Sequence, residues 1–154
     1  PVSISYEYDA CDVLKAEELY AIETVGLFTK NEKSDIQSIV AGMTGFKGAV
    51  HVAFGSEMEY ESDAPDVIAA SIDSQILENY KLRDSNYIAF ELLQEKGLLP
   101  ESAAGMKISS PEIKSESREL FLDRLSIVDP KLHRHYLLSY ANPVISRSRN
   151  QASA

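Results

Sequence analysis

Residues 45–55 read Gly45-Phe46-Lys47-Gly48-Ala49-Val50-His51-Val52-Ala53-Phe54-Gly55, and this stretch decides the predicted fold. Glycines bound a short apolar run that is too brief for an independent helix. Its β-branched and aromatic residues suit a pleated surface, so the run predicts a strand. We expect this strand to be mostly buried, because the segments before and after it are amphipathic and need a surface to cover.

The length and composition indicate a single soluble domain. The chain has 154 residues, of which 44% are hydrophobic and 25% are charged, and folding at this size buries about 70% of the extended chain's surface. Its apolar runs are far shorter than the roughly 20 residues of a spanning helix. No basic and then apolar leader opens the chain, and the single Cys11 excludes a disulfide framework. We therefore expect a cytoplasmic protein without membrane association.

Two further segments alternate between apolar and polar residues in the manner of strands. Residues 2–8 place Val2, Ile4, Tyr6 and Tyr8 on one face, which we expect to be the buried one. Residues 57–62 alternate in the same way and follow Gly55-Ser56, which suits an antiparallel hairpin with the central strand. The predicted fold class is α+β: a small mixed or antiparallel sheet from about 2–8, 48–54 and 57–62, covered by amphipathic helices, with a helical C-terminal third.

Capping and breaking residues divide the rest of the chain into helices. Start signals and apolar periodicity predict helices over about 12–29, 34–43 and 66–80. Residues 86–96 alternate like a strand but are bounded by helix start and stop signals, so we favour a helix there. Two more helices begin at Pro111 and Pro130, and the last should stop before Pro143. We expect one globular domain over 1–142 and a polar, basic tail over 143–154.

The charge is unevenly distributed along the chain. The formal net charge is −9, which argues against direct nucleic-acid binding because phosphates require clustered Lys and Arg. Residues 1–65 hold twelve acidic residues against four lysines, which leaves −8, and they contain no arginine. After Asp129 the sign reverses, and no acidic residue follows. Such asymmetry steers association, so the acidic front and the basic end are candidate complementary surfaces.

The acidic strand at 57–62 is the candidate binding surface. Its carboxylates form a row that suits a basic partner, or the basic end of a neighbouring copy. Divalent cations also prefer several oxygen ligands, but the spacing lacks the glycine and the ordered positions of a calcium loop, so we expect no metal and no cofactor. We therefore predict a non-catalytic protein-binding or assembly protein that forms homo-oligomers. The candidate binding residues are Glu57, Glu59, Glu61, Asp63, Asp66, Arg147 and Arg149.

Pro1 provides an alternative, which is catalysis. A secondary amine at a chain terminus acts as a base or nucleophile where a buried site lowers its pKa. Pro1-Val2-Ser3-Ile4 resembles the start of the tautomerase superfamily, and this resemblance implies an enzyme with Pro1 as its catalytic residue. Those enzymes generally hold acidic substrates with arginines, whereas the first arginine here is Arg83.

The remaining candidates suggest surface or structural roles. His133 and His135 are two positions apart, so they do not form the i, i+4 pair of a helical metal site, and we expect them at the surface. Cys11 lies between Asp9 and Asp12, where negative charge disfavours a thiolate, so we expect a structural thiol. The −8 charge of residues 1–65 leaves a third function open: an acidic inhibitor that occupies the basic cleft of a nucleic-acid-binding protein.

Overall fold

The computed structural model describes residues 1–29, 32–58 and 64–153. Within these ranges the chain is about 63% helical and 7% strand, which confirms the α+β class. Two single 3-10 turns, Glu101–Ala103 and Pro130–Leu132, precede α5 and α6. The elements in chain order are β1 (Val2–Tyr6), α1 (Asp12–Val25), α2 (Glu32–Thr44), β2 (Val50–Phe54), α3 (Pro65–Asn79), α4 (Asp84–Glu95), α5 (Ser115–Ser126) and α6 (His133–Ser153).

The described residues form one two-stranded antiparallel sheet. β1 and β2 pair from Val2 opposite Phe54 to Tyr6 opposite Val50. This confirms the strands predicted within 2–8 and 48–54. In the third predicted strand, Glu57 and Met58 have no strand conformation, and residues 59–62 lie outside the described ranges.

The side chains of the hydrophobic core come mainly from helices, and α4 lies at the centre of the core. α4 packs against α5 and α6 and buries most of its length, including Ile88, Phe90 and Leu93. The preference for a helix over 86–96 is thus confirmed. The Asn86 side chain fixes the start of α4, because its oxygen accepts from the backbone N–H of Arg83 at 2.8 Å and its amide donates to the Tyr140 carbonyl at 2.9 Å.

The prediction that β2 is buried is wrong. Val50 and Val52 are each 48% exposed and Phe54 is 78% exposed. The helices after residue 84 bury their apolar faces on one another, so the sheet is not needed to complete the core. The short apolar run is extended, as its β-branched residues predicted, but it lies at the surface.

The C-terminal ends of two helices differ from the predictions, and α5 begins at Ser115 and not at Pro111. α1 ends at Val25 and not near Thr29, because Gly26 adopts a left-handed φ of 84° and its N–H bonds the Ile22 carbonyl. α6 passes through Pro143 and reaches Ser153, so the predicted tail is helical. Proline in a helix costs roughly 3 kcal/mol. Burial of Val144 and Ile145, each 2% exposed, recovers roughly 1.5–3 kcal/mol per side chain and offsets that cost.

Candidate interaction surface

The sheet presents its apolar face to solvent and its polar face to the interior. Ser3 and Ser5 are 2% and 0% exposed, whereas Val2 and Ile4 on the opposite face are each 47% exposed. The alternation within β1 predicted two faces correctly. The expectation that the apolar one is buried is wrong.

Hydrogen bonds explain why serines occupy the inner face. The Ser3 hydroxyl donates to the Ile76 carbonyl in the last turn of α3 at 3.1 Å, and this carbonyl also accepts from the backbone N–H of Tyr80 at 2.9 Å. The Ser5 hydroxyl accepts from the backbone N–H of Lys81 at 3.0 Å. These bonds join β1 to the end of α3, so the serine face is already occupied and the apolar face is left outside.

The outer face of the sheet is entirely apolar. The backbone N–H of Glu7 bonds the Ala49 carbonyl at 2.9 Å, and the N–H of Gly55 bonds the Pro1 carbonyl at 2.8 Å. Between these two bonds, cross-strand residue pairs alternate between hydrogen-bonded and non-hydrogen-bonded. The three outward-facing pairs are therefore closely spaced, non-hydrogen-bonded pairs. We call this surface the apolar sheet face; it consists of Val2, Ile4, Tyr6, Val50, Val52 and Phe54.

Helix α2 also exposes its apolar stripe. The apolar residues of α2 recur at i, i+3, i+4 and i+7, which predicted that another part of the chain covers them. Their four side chains, those of Ile36, Ile39, Val40 and Met43, are instead 52–78% exposed. α2 is attached at its C-terminal end, where Gly45 approaches Ala10 so closely that an added Cβ would lie 2.7 Å from the Ala10 Cβ. The Cys11 thiol adds a contact to the Ser38 carbonyl at 3.4 Å. The exposed stripe consists of Ile36, Ile39, Val40 and Met43.

A groove of about 430 Å³ separates α1 from α2. Its apolar lining comes from both helices and from the connection that follows α1, and the charged part of its lining is mainly acidic. Three carboxylates contribute to it, whereas Lys15 is a lining residue that forms an ion pair with Asp9. The lining residues used below, which define the α1–α2 groove, are Leu14, Glu17, Glu18, Phe28, Asp35 and Ile39.

A buried polar cluster attaches α1 to the helical core. Asp12 is the first residue of α1 and is 4% exposed. Its carboxylate accepts from the Arg124 guanidinium at 2.9 Å, from the Tyr140 hydroxyl at 2.7 Å and from the backbone N–H of Val13 at 2.8 Å. The Arg124 guanidinium also lies 4.8 Å from the centre of the Tyr8 ring. One carboxylate thus connects α1, α5 and α6.

Burial raises the pKa of both tyrosines in this cluster. The pKa of Tyr140 is raised mainly by desolvation and then by the nearby Asp12 carboxylate, and the same two causes raise the pKa of Tyr136. Burial alone would lower the pKa of Arg124, but its hydrogen bond and charge attraction to Asp12 raise it overall. The cluster therefore keeps the guanidinium charged and the two phenols neutral, which suits a structural anchor.

Two of the five predicted acidic binding residues lie within the described ranges, and neither belongs to this cluster. Glu57 is exposed just after β2, and Asp66 is exposed in the first turn of α3. Glu59, Glu61 and Asp63 lie outside the described ranges, so the acidic row stays a prediction.

The two predicted basic binding residues make contacts within the chain. Arg147 donates to the carbonyls of Leu77, at 2.9 Å, and Tyr80, and therefore holds the C-terminal end of α3. Arg149 donates to the Ser102 hydroxyl. An intramolecular role for Arg147 weakens its candidacy as a docking residue for another copy.

The other predicted positions are dispersed. Pro1 is half-buried at the start of β1, where its carbonyl pairs with Gly55, and it does not line the α1–α2 groove. Cys11 is half-buried and lines the groove. His133 lies against the Val128 carbonyl at 3.0 Å. The surface position predicted for His135 is wrong, since it is 7% exposed and contacts Glu23 at 2.9 Å.

Comparison of this chain with protein-family models, with curated proteins and with solved structures finds no match. Among residues 1–29, 32–58 and 64–153, no group of three or more His, Cys, Asp or Glu side chains is placed to hold a metal ion. None of the helices in those ranges combines the length and apolar composition needed to cross a bilayer.

Proposed function

We propose that this chain is a non-catalytic assembly protein in which a second copy covers the apolar sheet face. The observation that carries the proposal is the inverted sheet, which buries serines and exposes six large apolar side chains. Monomeric proteins rarely expose a contiguous apolar surface of this kind without using it to bind something.

The total surface supports a partner of substantial size. The accessible area is 9869 Å², whereas a monomer of 17.1 kDa typically exposes about 7,800 Å². The excess is on the order of 2,000 Å², and a standard interface removes about 800 Å² from each partner. The excess accessible area therefore exceeds the area that one interface of standard size removes from each partner.

The chemistry of the apolar sheet face suits a second copy. It has no charged side chain, so two such faces can stack about 10 Å apart without opposing like charges at their centre. The net charge of −9 opposes self-association at long range, and salt screens that repulsion. Association through this face should therefore strengthen with salt. Docking of Arg147 and Arg149 on the acidic row, the alternative, should weaken with salt.

Analytical ultracentrifugation tests the proposal. We expect the wild-type protein to dimerise with increasing concentration, and more readily at about 0.5 M than at about 0.05 M NaCl. Val52→Glu, on the apolar sheet face, should remain monomeric. The matched control is Ile127→Glu, because Ile127 is 86% exposed but lies far along the chain, after α5, and it should dimerise like the wild type. A wild-type protein that stays monomeric, or an unchanged mass for Val52→Glu, would refute the assembly.

A further inference from the structure

The α1–α2 groove is a second unpartnered surface, made of different side chains from the apolar sheet face. We infer that it binds an amphipathic helix with basic flanks from a partner protein. The inference goes beyond the proposed function because it concerns another surface and another class of partner. It rests on three observations: an exposed helical stripe, an adjoining groove and the charge around that groove.

The exposed stripe has the geometry with which one helix receives another. Ile36, Ile39, Val40 and Met43 lie on one side of α2, and α1 exposes Leu19 and Ile22, each at 45%. Helix-in-groove complexes use apolar anchors with this i, i+3, i+4, i+7 spacing. The groove has a volume of about 430 Å³, within the range of roughly 300–1,000 Å³ typical of sites that enclose ligand groups. Anchor side chains of an incoming helix therefore have both a stripe and a recess to fill.

The charge of the groove selects the flanks of that helix. Glu17, Glu18 and Asp35 line the groove, and the lining Lys15 is already paired with Asp9. Lysine and arginine flanks would complement this lining, and complementary charge contributes most to specificity and association rate. A second copy of the α1–α2 region would bring carboxylates against carboxylates. An anionic bilayer would be repelled in the same way. The charge therefore favours a basic protein segment over both.

A pair of synthetic peptides provides the test. The first is a fluorescein-labelled peptide of about 18 residues with leucines at helical i, i+3, i+4, i+7 spacing and lysines on both flanks. The second has the same leucines with glutamates in place of the lysines. We expect fluorescence anisotropy to show binding of the lysine peptide at least tenfold tighter than that of the glutamate peptide. Ile39→Glu should weaken the lysine peptide at least tenfold, and Glu17→Gln combined with Asp35→Asn several-fold.

Matched variants separate the groove from general attraction to an acidic protein. Ile127→Glu and Glu119→Gln change an exposed apolar and an exposed acidic residue elsewhere, and both should bind the lysine peptide like the wild type. Val52→Glu should also retain binding, so the outcome is independent of the apolar sheet face. A circular dichroism melt checks that Ile39→Glu is folded, which we expect because Ile39 is 61% exposed.

Four outcomes would overturn the inference. Equal affinity for the two peptides, or equal weakening by Ile39→Glu and Ile127→Glu, would remove the groove as the binding site. Loss of self-association in Ile39→Glu would show that a second copy occupies α2. Cosedimentation with phosphatidylserine vesicles that is lost in Ile39→Glu would replace the protein partner with a membrane surface.

Discussion

The N-terminal part of the chain, residues 1–58, and the helical part, residues 84–153, use apolar side chains in opposite ways. Among the described residues, 16 of the 18 buried apolar side chains lie between Ile88 and Ile145, whereas 17 of the 21 large exposed ones lie between Val2 and Phe54. Since the two parts have similar kinds of apolar residues, the difference lies in packing. The helical part supplies most of the core, and the N-terminal part supplies apolar surface for which the chain provides no cover among its described residues.

The attachment between the two parts is small and partly polar. Tyr8 and Ala16 are the N-terminal members of the hydrophobic core, and both lie against helices of the C-terminal part. Asp12 adds the buried bonds to Arg124 and Tyr140. Side chains of α1 and of the segment before it therefore hold the N-terminal part, and the outer faces of the sheet and of α2 stay exposed.

Matched phenylalanine substitutions are the strongest way to break this comparison. Phe90→Ala, at a site that is 1% exposed, should lower the free energy of unfolding by about 3–5 kcal/mol through lost burial and a cavity. Phe54→Ala, at a site that is 78% exposed, should change it by less than about 0.5 kcal/mol in the monomer. Urea denaturation at a protein concentration below that of dimerisation measures both. Similar losses for the two variants would show that the N-terminal part has a core role.

Asp12→Asn tests the attachment, with a smaller expected effect. The change leaves the Arg124 guanidinium without its carboxylate, and because Arg124 is about a quarter exposed we expect a loss of about 2–3 kcal/mol. Hydrogen exchange should show that protection in α1 falls more than protection in α4. Lys131→Gln removes the exposed ion pair with Asp129 and should change neither the protection of α1 nor that of α4. Equal loss of protection in α1 and α4 would mean that the two parts unfold as one unit.

Local structure was largely predictable from the sequence. The alternation of residues 2–8 and the β-branched run 48–54 predicted both strands, and the capping and glycine signals around residues 86–96 predicted α4. The continuation of α6 beyond Pro143 could not be predicted, because the cost of Pro143 is local and visible in the sequence, whereas the burial of Val144 and Ile145 depends on tertiary packing. Helix propensity indicates the local free-energy cost of a conformation, but it does not indicate the tertiary contacts that offset that cost.

The candidate surface was not predictable. Alternation shows that β1 has an apolar and a polar face, but it does not show which face the rest of the chain covers. That choice depends on the bonds from Ser3 and Ser5 to the end of α3, which are 73 and 76 residues away. The charge pattern of the sequence indicated the acidic row as the binding surface. In the described residues, the candidate surface instead consists of exposed apolar side chains, mainly valine, isoleucine and phenylalanine.

Two tyrosines of the buried cluster provide the smallest and most selective test. The Tyr140 hydroxyl donates to Asp12 and accepts from the backbone N–H of Asp9, so Tyr140→Phe should cost about 1–3 kcal/mol at pH 7. Within the described residues the buried Tyr136 hydroxyl has no hydrogen-bond partner, although it lies beside Asp12. Tyr136→Phe should therefore be neutral or slightly stabilising at pH 7. Urea denaturation of the two variants and the wild type measures the difference.

Alkaline pH separates the two hydroxyls further. The pKa of Tyr136 is raised in the folded protein, mainly by burial, while in the unfolded chain it is about 10. Above pH 10 the unfolded chain therefore binds fewer protons than the folded protein, and stability falls as pH rises, by up to about 1.4 kcal/mol per pH unit for this tyrosine. Tyr136→Phe removes that contribution. Its unfolding free energy should fall less steeply than that of the wild type between pH 10 and pH 11, and parallel curves would show that Tyr136 ionises in the folded protein as readily as in the unfolded chain.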